Sequence, residues 1–511
     1  MGQEIELKFV GPEDALARLR DSPVLKRLAA RRRAKTRELK ALYFDTDDFA
    51  LRDAGVVLRV RDEGSGFVQT VKTIGGPDAA TRTEVNATVA AFVPDVRAIG
   101  DKRVRRTIEM AARGRALRAI FTVEMQRTTI VLVPKRGSEI EAAFDVGRVM
   151  TVEGDAAEAP ISEFELELLS GDVAALVTCA RELTPGLPLT LALQSKAARG
   201  YALANGEVSA PVRAAALVLP KKANASDAFG RIVGHCLQHL LGNWTAVVAA
   251  RDPEGIHQMR VAIRRMRSAI ALFGGPFRAA FQPLEDDIRR LAQVLGAARD
   301  LDVFEDEVFR PAAAAHGEDP RLEVLTTLVR ARRREAWTGV MSTLESDWFR
   351  GLMLDIAAAT LAKPWLATST AAVERTARVL ARKRLARGLA RAKKLGKSIK
   401  SLDASGRHKL RIRLKKLRYA VDFFASLYPA GKVSKYLDRL GALQDVLGQM
   451  NDAAVARKLT DEFVATDHNN EAAVDYACGV IAGWHLGHDG EHRKTLARQW
   501  GRFVKLSPPW R

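Results

Sequence analysis

Aromatic side chains make up only 6% of this 511-residue chain, and there are just three cysteines. Cys179, Cys236 and Cys478 form neither a pairing framework nor a metal-ligand spacing, which suits inert thiols in a reducing compartment. No apolar run is long enough to span a bilayer, and the acidic, alternating opening segment lacks the marks of a signal peptide. A cytoplasmic protein without membrane segments is therefore expected. Histidine is missing from residues 1–200; all nine lie beyond. A metal in that first part must take oxygen ligands, which favours Mg2+ or Mn2+ over zinc. Neither a G-x-x-x-x-G-K-[ST] loop nor a G-x-S-x-G elbow occurs, so common nucleotidase and serine-hydrolase chemistries lose weight.

What the chain has in excess is positive charge, unevenly placed. Residues 1–200 hold 31 Lys and Arg against 29 Asp and Glu, so the remainder carries +18 of the net +20. The second part looks built to hold an anion. At this length two or three domains are expected.

Glu4-Ile5-Glu6-Leu7-Lys8 opens the chain with charges and apolar residues alternating at strand period, so Glu4, Glu6 and Lys8 share one face. Leu58-Arg59-Val60-Arg61 and Glu163-Phe164-Glu165-Leu166-Glu167 repeat the pattern. One such strand is an ordinary sheet with a solvated face. Several, some acidic and some basic, suggest charged faces that converge. Strand signals fall at 3–9, 39–44, 56–62, 67–73, 82–92, 121–133, 139–146 and 162–169, with helices at 12–21 and 171–182. Antiparallel strands with one charged face need closure, which a barrel with a charged, water-filled lumen provides. Asn205-Gly206, Pro211 and Pro220-Lys221-Lys222 mark a boundary, and beyond it the sequence reads as helical.

The helical part repeats itself. His257, Arg260, Arg264 and Arg267 are matched, 151 residues on, by His408, Arg411, Lys415 and Arg418. Val294 through Asp300 is matched by Val446 through Asp452 at an offset of 152. A duplicated helical bundle follows. At about 100° per residue each quartet lies within roughly 80° of arc. Four like groups on one stripe repel unless an anion bridges them, so the repeated stripe reads as a polyanion groove. Nucleic acid is disfavoured as the partner because no aromatics interleave with the cations; a linear polyphosphate needs only spaced charge. Below about pH 6.5, the unperturbed value, the two histidines would add to that charge.

In the strand part the candidate phosphate-gripping cations are Lys8, Arg59, Arg61, Lys72, Arg82, Arg127 and Lys196. Candidate metal ligands are Glu4, Glu6, Glu84, Asp145, Glu165 and Glu167. Phosphoryl transfer to water needs a chain of phosphates held in line, developing charge neutralised and a water delivered. Glu4, Glu6, Lys8 and Glu84 are the expected catalytic set, around Mg2+ or Mn2+.

These residues resemble the CYTH superfamily, the triphosphate tunnel metalloenzymes, over about residues 3–203. The opening Glu-x-Glu-x-Lys is the family hallmark. Supporting blocks are Tyr43-Phe44-Asp45-Thr46, Leu58-Arg59-Val60-Arg61, Gln69-Thr70-Val71-Lys72, Arg82-Thr83-Glu84, Phe121 through Arg127, Phe144-Asp145-Val146-Gly147, Glu163-x-Glu165-x-Glu167 and Ser195 through Tyr201. The resemblance implies an eight-stranded antiparallel tunnel, divalent-metal dependence and triphosphate hydrolysis. Asn86 departs from it, standing where many relatives carry another acid. Residues from about 225 to 503 resemble the CHAD domain, an α-helical domain with characteristic histidines, here His257 and His408, associated with binding inorganic polyphosphate.

The expected architecture is thus multidomain: an α+β tunnel domain over 1–203, a linker over 204–224 and an all-α duplicated bundle over 225–503. The expected activity is metal-dependent hydrolysis of inorganic triphosphate to diphosphate and phosphate, with polyphosphate bound by the second domain. Two alternatives stay open: a non-enzymatic protein tethered to polyphosphate granules, and a nucleotide-using tunnel enzyme, either an adenylate cyclase or a nucleoside triphosphatase.

Overall fold

The structure is a computed structural model, and it describes residues 5–30, 33–73, 83–135, 137–152, 157–207, 210–367, 371–464 and 471–511. Glu4 and Arg82 lie outside the described residues. Two compact units form, Met1–Pro211 with Glu345–Ala362, and Val212–Leu344 with Lys363–Arg511.

The first unit is built on one antiparallel sheet of nine strands: β1 (Glu6–Val10), β2 (Lys35–Asp45), β3 (Val56–Asp62), β4 (Phe67–Thr73), β5 (Thr83–Val89), β6 (Arg118–Lys135), β7 (Ser138–Thr151), β8 (Glu158–Ser170) and β9 (Thr190–Ala192). Their order is β5-β4-β3-β2-β6-β7-β8-β1-β9. Eight of these match the strands expected from alternation. The ninth, three residues long, is too short to carry a period. Helices α1 (Glu13–Asp21), α2 (Pro23–Leu28), α3 (Ala50–Asp53), α4 (Lys102–Ala112), α5 (Val173–Leu183) and α6 (Lys196–Ala204) complete the connections. Caps explain several starts: Asp101 Oδ1 accepts from Arg103 and Val104, Asp172 from Ala174, and Ser195 from Ala198.

Alternation divides the sheet into two faces. One packs Phe44, Leu58, Val60 and Val71 against Leu51 of α3 and Val104 and Ile108 of α4. The other carries the charged residues at one end and an apolar patch at the other. Tyr43, Phe121, Val123, Val149 and Ile161 pack there against Ala197, Tyr201 and Leu203 of α6. Side chains from β2, β6, β7 and β8 all reach this helix, so the sheet curves around it in tunnel-like fashion. The charged lumen expected from alternation occupies one end of this face, and α6 fills the other with apolar contact.

Two glycines let the backbones approach. A Cβ on Gly200 would sit 2.1 Å from the Phe121 ring, and one on Gly147 2.1 Å from the carbonyl oxygen of Glu124. Asp45, fully buried, accepts from the backbone of Thr46, Leu51 and Arg52 and from the Tyr201 hydroxyl at 2.9 Å. One carboxylate therefore ties α3 and α6 to the end of β2.

The Asp347–Ala362 helix belongs to this first unit, although sequence reading counts it with the helical part. It packs on α5 and β9, with Arg181 donating to Asp355 at 2.6 Å. Its buried Phe349, Leu352, Met353 and Ile356 explain the placement, since a helix this apolar needs a second surface to cover it.

The second unit is helical. Its first series contains α7 (Ala225–Gly242), α8 (Trp244–Val248), α9 (Pro253–Phe273), α10 (Gly275–Phe281), α11 (Glu285–Val303), α12 (Arg310–His316) and α13 (Pro320–Leu344). Counting the Asp347–Ala362 helix as α14 and Ala371–Glu374 as α15, the second series is α16 (Ala377–Gly396), α17 (Ala404–Phe423), α18 (Ala430–Val464) and α19 (Glu471–Val504). Neighbours run α7–α9–α11–α13 and α16–α17–α18–α19, the duplication expected from the repeat. His257 and His408 each occupy the fifth residue of their helix.

Candidate active site

The charged end of the concave face is a dense ion-pair cluster. Strand pairing sets Arg127 opposite Asp145, Asp145 opposite Glu163, and Lys8 opposite Glu165. Arg127 grips Asp145 with two bonds of 2.6 and 2.5 Å and reaches Glu165 at 2.6 Å. Lys8 lies 3.0 Å from Glu165 and 3.7 Å from Glu163. From α6, Lys196 Nζ meets Glu163, Asp145 and Glu165 at 2.5, 2.7 and 3.0 Å, and Arg199 meets Glu163 at 2.7 Å. Ser195, by capping α6, sets Lys196 on its first residue and aims it at the acids.

Asp145, Glu163 and Glu165 each offer a carboxylate oxygen, all within 4.8 Å of one another. Asp145 and Glu163 are fully buried and Glu165 is 9% exposed. Burial alone would raise the Glu165 carboxyl, but the Lys196, Lys8 and Arg127 charges outweigh it and hold it far below the usual carboxylate range. Lys196 is held protonated: burial opposes its charge, and Glu165, Asp145 and Glu163 more than restore it. Among the described residues, Glu163 Oε2 is held by the Lys196 and Lys8 charges alone. Three carboxylate oxygens gathered this closely are a donor set that fits a hard divalent cation.

One step along the same face, Glu6 pairs with Glu167 and Glu167 with Glu141, a row of three acids across three strands. Directly opposed like charges repel, so this row adds to the demand for a cation. Glu6 and Glu167 thus neighbour the buried trio and are not members of it.

Pairing also sets the other candidates on this face. Arg59 stands opposite Tyr43, Arg61 opposite Ala41, Lys72 opposite Glu84 and Thr70 opposite Asn86. Arg61 is paired with Glu63, and Lys72 with Glu84 at 2.7 Å. Burial raises the Glu84 carboxyl, and Lys72 and Arg59 pull it below its usual value. Glu84 is therefore held by cations and lies outside the acid trio. Asn86 accepts from Thr70 at 2.7 Å. Among the described residues the Arg59 Nε is buried without a hydrogen-bond partner.

On the helical unit, Arg260 of α9 donates to Asp300 at 2.8 Å and to the Gly296 carbonyl at 3.0 Å, both on α11. His408 meets Asn451 at 2.9 Å and Arg418 donates to Gln444 at 3.1 Å, both on α18. The repeated elements of the sequence thus pair in each copy. Arg267 and Arg418 are exposed, and Arg264, Arg411 and Lys415 half-buried. Burial, then the Arg299, Arg264 and Arg260 charges, push His257 down to about 4, so it stays neutral near pH 6.5 in the free protein. The expectation of added charge there is corrected for His257; its cationic neighbours resist it.

The comparisons with known proteins follow this division. Residues 2–201 match the CYTH domain and residues 231–461 the CHAD domain. The chain is a CYTH domain followed by a CHAD domain. An uncharacterized protein of Mycobacterium tuberculosis is 27% identical over 500 residues, 93% of this chain and 91% of that one. An inorganic triphosphatase of Haemophilus influenzae is 30% identical over 161 residues, which are 32% of this chain and 44% of that protein. The crystal structure of a CHAD domain from Ricinus communis aligns with TM-score 0.51 and 32% identity, covering 59% of this chain and 98% of that one.

Within the CYTH domain, two members of the cluster escaped sequence reading. Glu163 stands in the quoted Glu-x-Glu-x-Glu run, but period alone does not say which two of three acids meet a neighbouring strand's Asp. Arg199 sits in the Ser195 to Tyr201 block, where helical spacing of three from Lys196 carries the only signal. In the CHAD domain, the Asp452 side chain lies outside what the structure describes.

Proposed function

We propose that this protein hydrolyses inorganic triphosphate to diphosphate and phosphate with Mg2+ or Mn2+, and that its CHAD domain binds inorganic polyphosphate. The observation that carries the enzymatic half is the Asp145, Glu163 and Glu165 trio with Lys8, Arg127, Lys196 and Arg199 locked onto it. A divalent ion held by the three carboxylates would neutralise phosphate charge and polarise water. Once those carboxylates serve an ion, the same cations are released to hold phosphate oxygens. Arg59, Arg61 and Lys72, on the same face, extend the grip along a chain of phosphates. Water then forms a bond to the terminal phosphorus as its bond to the bridging oxygen breaks, and diphosphate leaves. The triphosphatase relative from Haemophilus influenzae agrees with this reading. The duplicated stripe and the +18 carried beyond residue 200 support the polyphosphate half. The deciding experiment is phosphate release from triphosphate, long polyphosphate, ATP and thiamine triphosphate, each with several divalent ions. Triphosphate turned over fastest supports the proposal, and ATP preferred over it returns the nucleotide alternative.

A further inference from the structure

The densest positive charge in the protein lies outside the histidine stripes. Between residues 375 and 421 the sole acid is Asp403, while 375–402 alone holds eleven Lys and Arg. On α16, Leu380, Ala381, Leu385, Leu389 and Ala392 are buried, and Arg378, Arg382, Lys383, Arg387, Arg391 and Lys394 are exposed. None of these six has an acidic partner within 4.0 Å among the described residues. Their mutual repulsion is visible at Arg384, where burial and then Arg387, Arg375 and Arg391 lower the guanidinium from its ordinary value.

The neighbouring α17 continues this surface. Lys409, Arg413 and Lys416 are exposed and, among the described residues, likewise without an acidic partner. At about 100° per residue they lie roughly 150° around the helix from the His408, Arg411, Lys415 and Arg418 stripe. That stripe faces α18, through Asn451 and Gln444; the second set points away from it. The duplication supplies an internal control. The equivalents of Lys409, Arg413 and Lys416, 151 residues earlier, are Gln258, Ala262 and Arg265, all buried. Likewise α7, the partner of α9 as α16 is of α17, buries twelve of its residues and exposes no such row. Only the second copy has turned this flank outward and made it basic.

We infer that the outer face of α16 and α17 is a second binding track for long-chain inorganic polyphosphate, separate from the histidine stripes. Charge complementarity selects a polyanion, because permanent cations this crowded repel until one lies across them. The composition selects one without bases: the exposed positions of α16 are Arg, Lys, Ala and Val, with no aromatic to stack a base and no Asn or Gln to read its edge. The inference rests on the polyphosphate reading of the CHAD domain and adds to it a second occupant site. A long chain engaging both tracks gains avidity without new contacts.

The test uses the full-length protein and calorimetric titration with a short polyphosphate of about ten phosphates and with a long one, at fixed salt. Arg382→Gln, Arg387→Gln, Arg391→Gln and Lys394→Gln are combined in one variant. A second variant exchanges Arg for Lys and Lys for Arg at the same positions, keeping charge. The wild type should bind two short chains, the Gln variant one, and the charge-keeping variant two; the Gln variant should lose at least about tenfold in long-chain affinity. Two short chains still bound by the Gln variant overturn the inference and leave the proposed function standing. Tighter binding of duplex RNA than of polyphosphate by the wild type overturns it as well. A wild type that binds no polyphosphate overturns both this inference and the CHAD half of the proposed function.

Discussion

Lys196 Nζ sits 2.7 Å from the Asp145 carboxylate, joining the first residue of α6 to the middle of β7. The site is thus latched by its own groups, each cation standing where phosphate is proposed to bind and each acid where an ion is proposed to bind. Lys196→Met should unlatch it. Triphosphate turnover should fall by about 100-fold, the order seen when one preorganised charge is removed. Mn2+ binding without substrate should become tighter, because one competing cation is gone. Weaker Mn2+ binding in this variant contradicts the latch.

Glu163→Gln and Glu167→Gln separate the buried trio from the row beside it. Losing a trio charge leaves the fold's shape but removes an ion ligand, so Glu163→Gln should lower turnover at saturating metal far more than Glu167→Gln. Equal losses would mean that the two acids share one role.

Gly200→Ala tests how α6 is held. The added methyl has to push either Phe121 or the helix, and overpacking of this kind costs about 1–3 kcal/mol. Because α6 carries Lys196 and Arg199, turnover should drop along with the melting temperature. Phe121→Leu in the same chain should recover part of both. A variant as stable and active as the wild type would show that the close approach has no such consequence.

The pH dependence of stability follows from three histidines held down by burial, His235, His239 and His257. Burial first, then the nearby Arg265 charge, pushes His239 down to about 4 against the help of Gln258, and His257 is likewise pushed to about 4. The unfolded chain takes up protons near pH 6.5, so it binds more protons than the folded one between about 6.5 and 4. Stability should fall as the pH drops through that window. The Glu165 contribution is lost only below the ordinary carboxylate range. Melting temperatures measured from pH 7.5 to 5 should decline, and less steeply in His257→Asn. A flat or rising profile contradicts the assignment.

Most of the strands, and the face each charged residue takes, could be read from alternation. Glu6, Lys8, Arg59, Arg61, Lys72, Arg127, Asp145 and Glu165 share the concave face because a period of two fixes the face once one residue is assigned. What period cannot give is depth. It does not say that α6 fills the apolar end, that Glu163 rather than Glu167 lies with Asp145, or that His257 is crowded by Arg299 from another helix. The Asp347–Ala362 helix was illegible for a different reason: an apolar face declares that it needs a partner and never which one. It also revises a boundary, since a fragment of residues 1–210 lacks the cover over α5 and β9. Such a fragment should aggregate or melt well below the full chain, and supplying residues 345–362 by a linker should restore it. A 1–210 fragment that is monomeric and as stable as the intact protein refutes that helix's role.

Phosphate release from inorganic triphosphate by the full-length protein, with Mg2+ or Mn2+, is the deciding measurement. Diphosphate and phosphate should form in equal amounts, chelation should abolish activity and added ion restore it, and Glu163→Gln should lower turnover about 100-fold. Undiminished release in the presence of a chelator, or from the Glu163→Gln protein, contradicts the proposed metal-dependent hydrolysis.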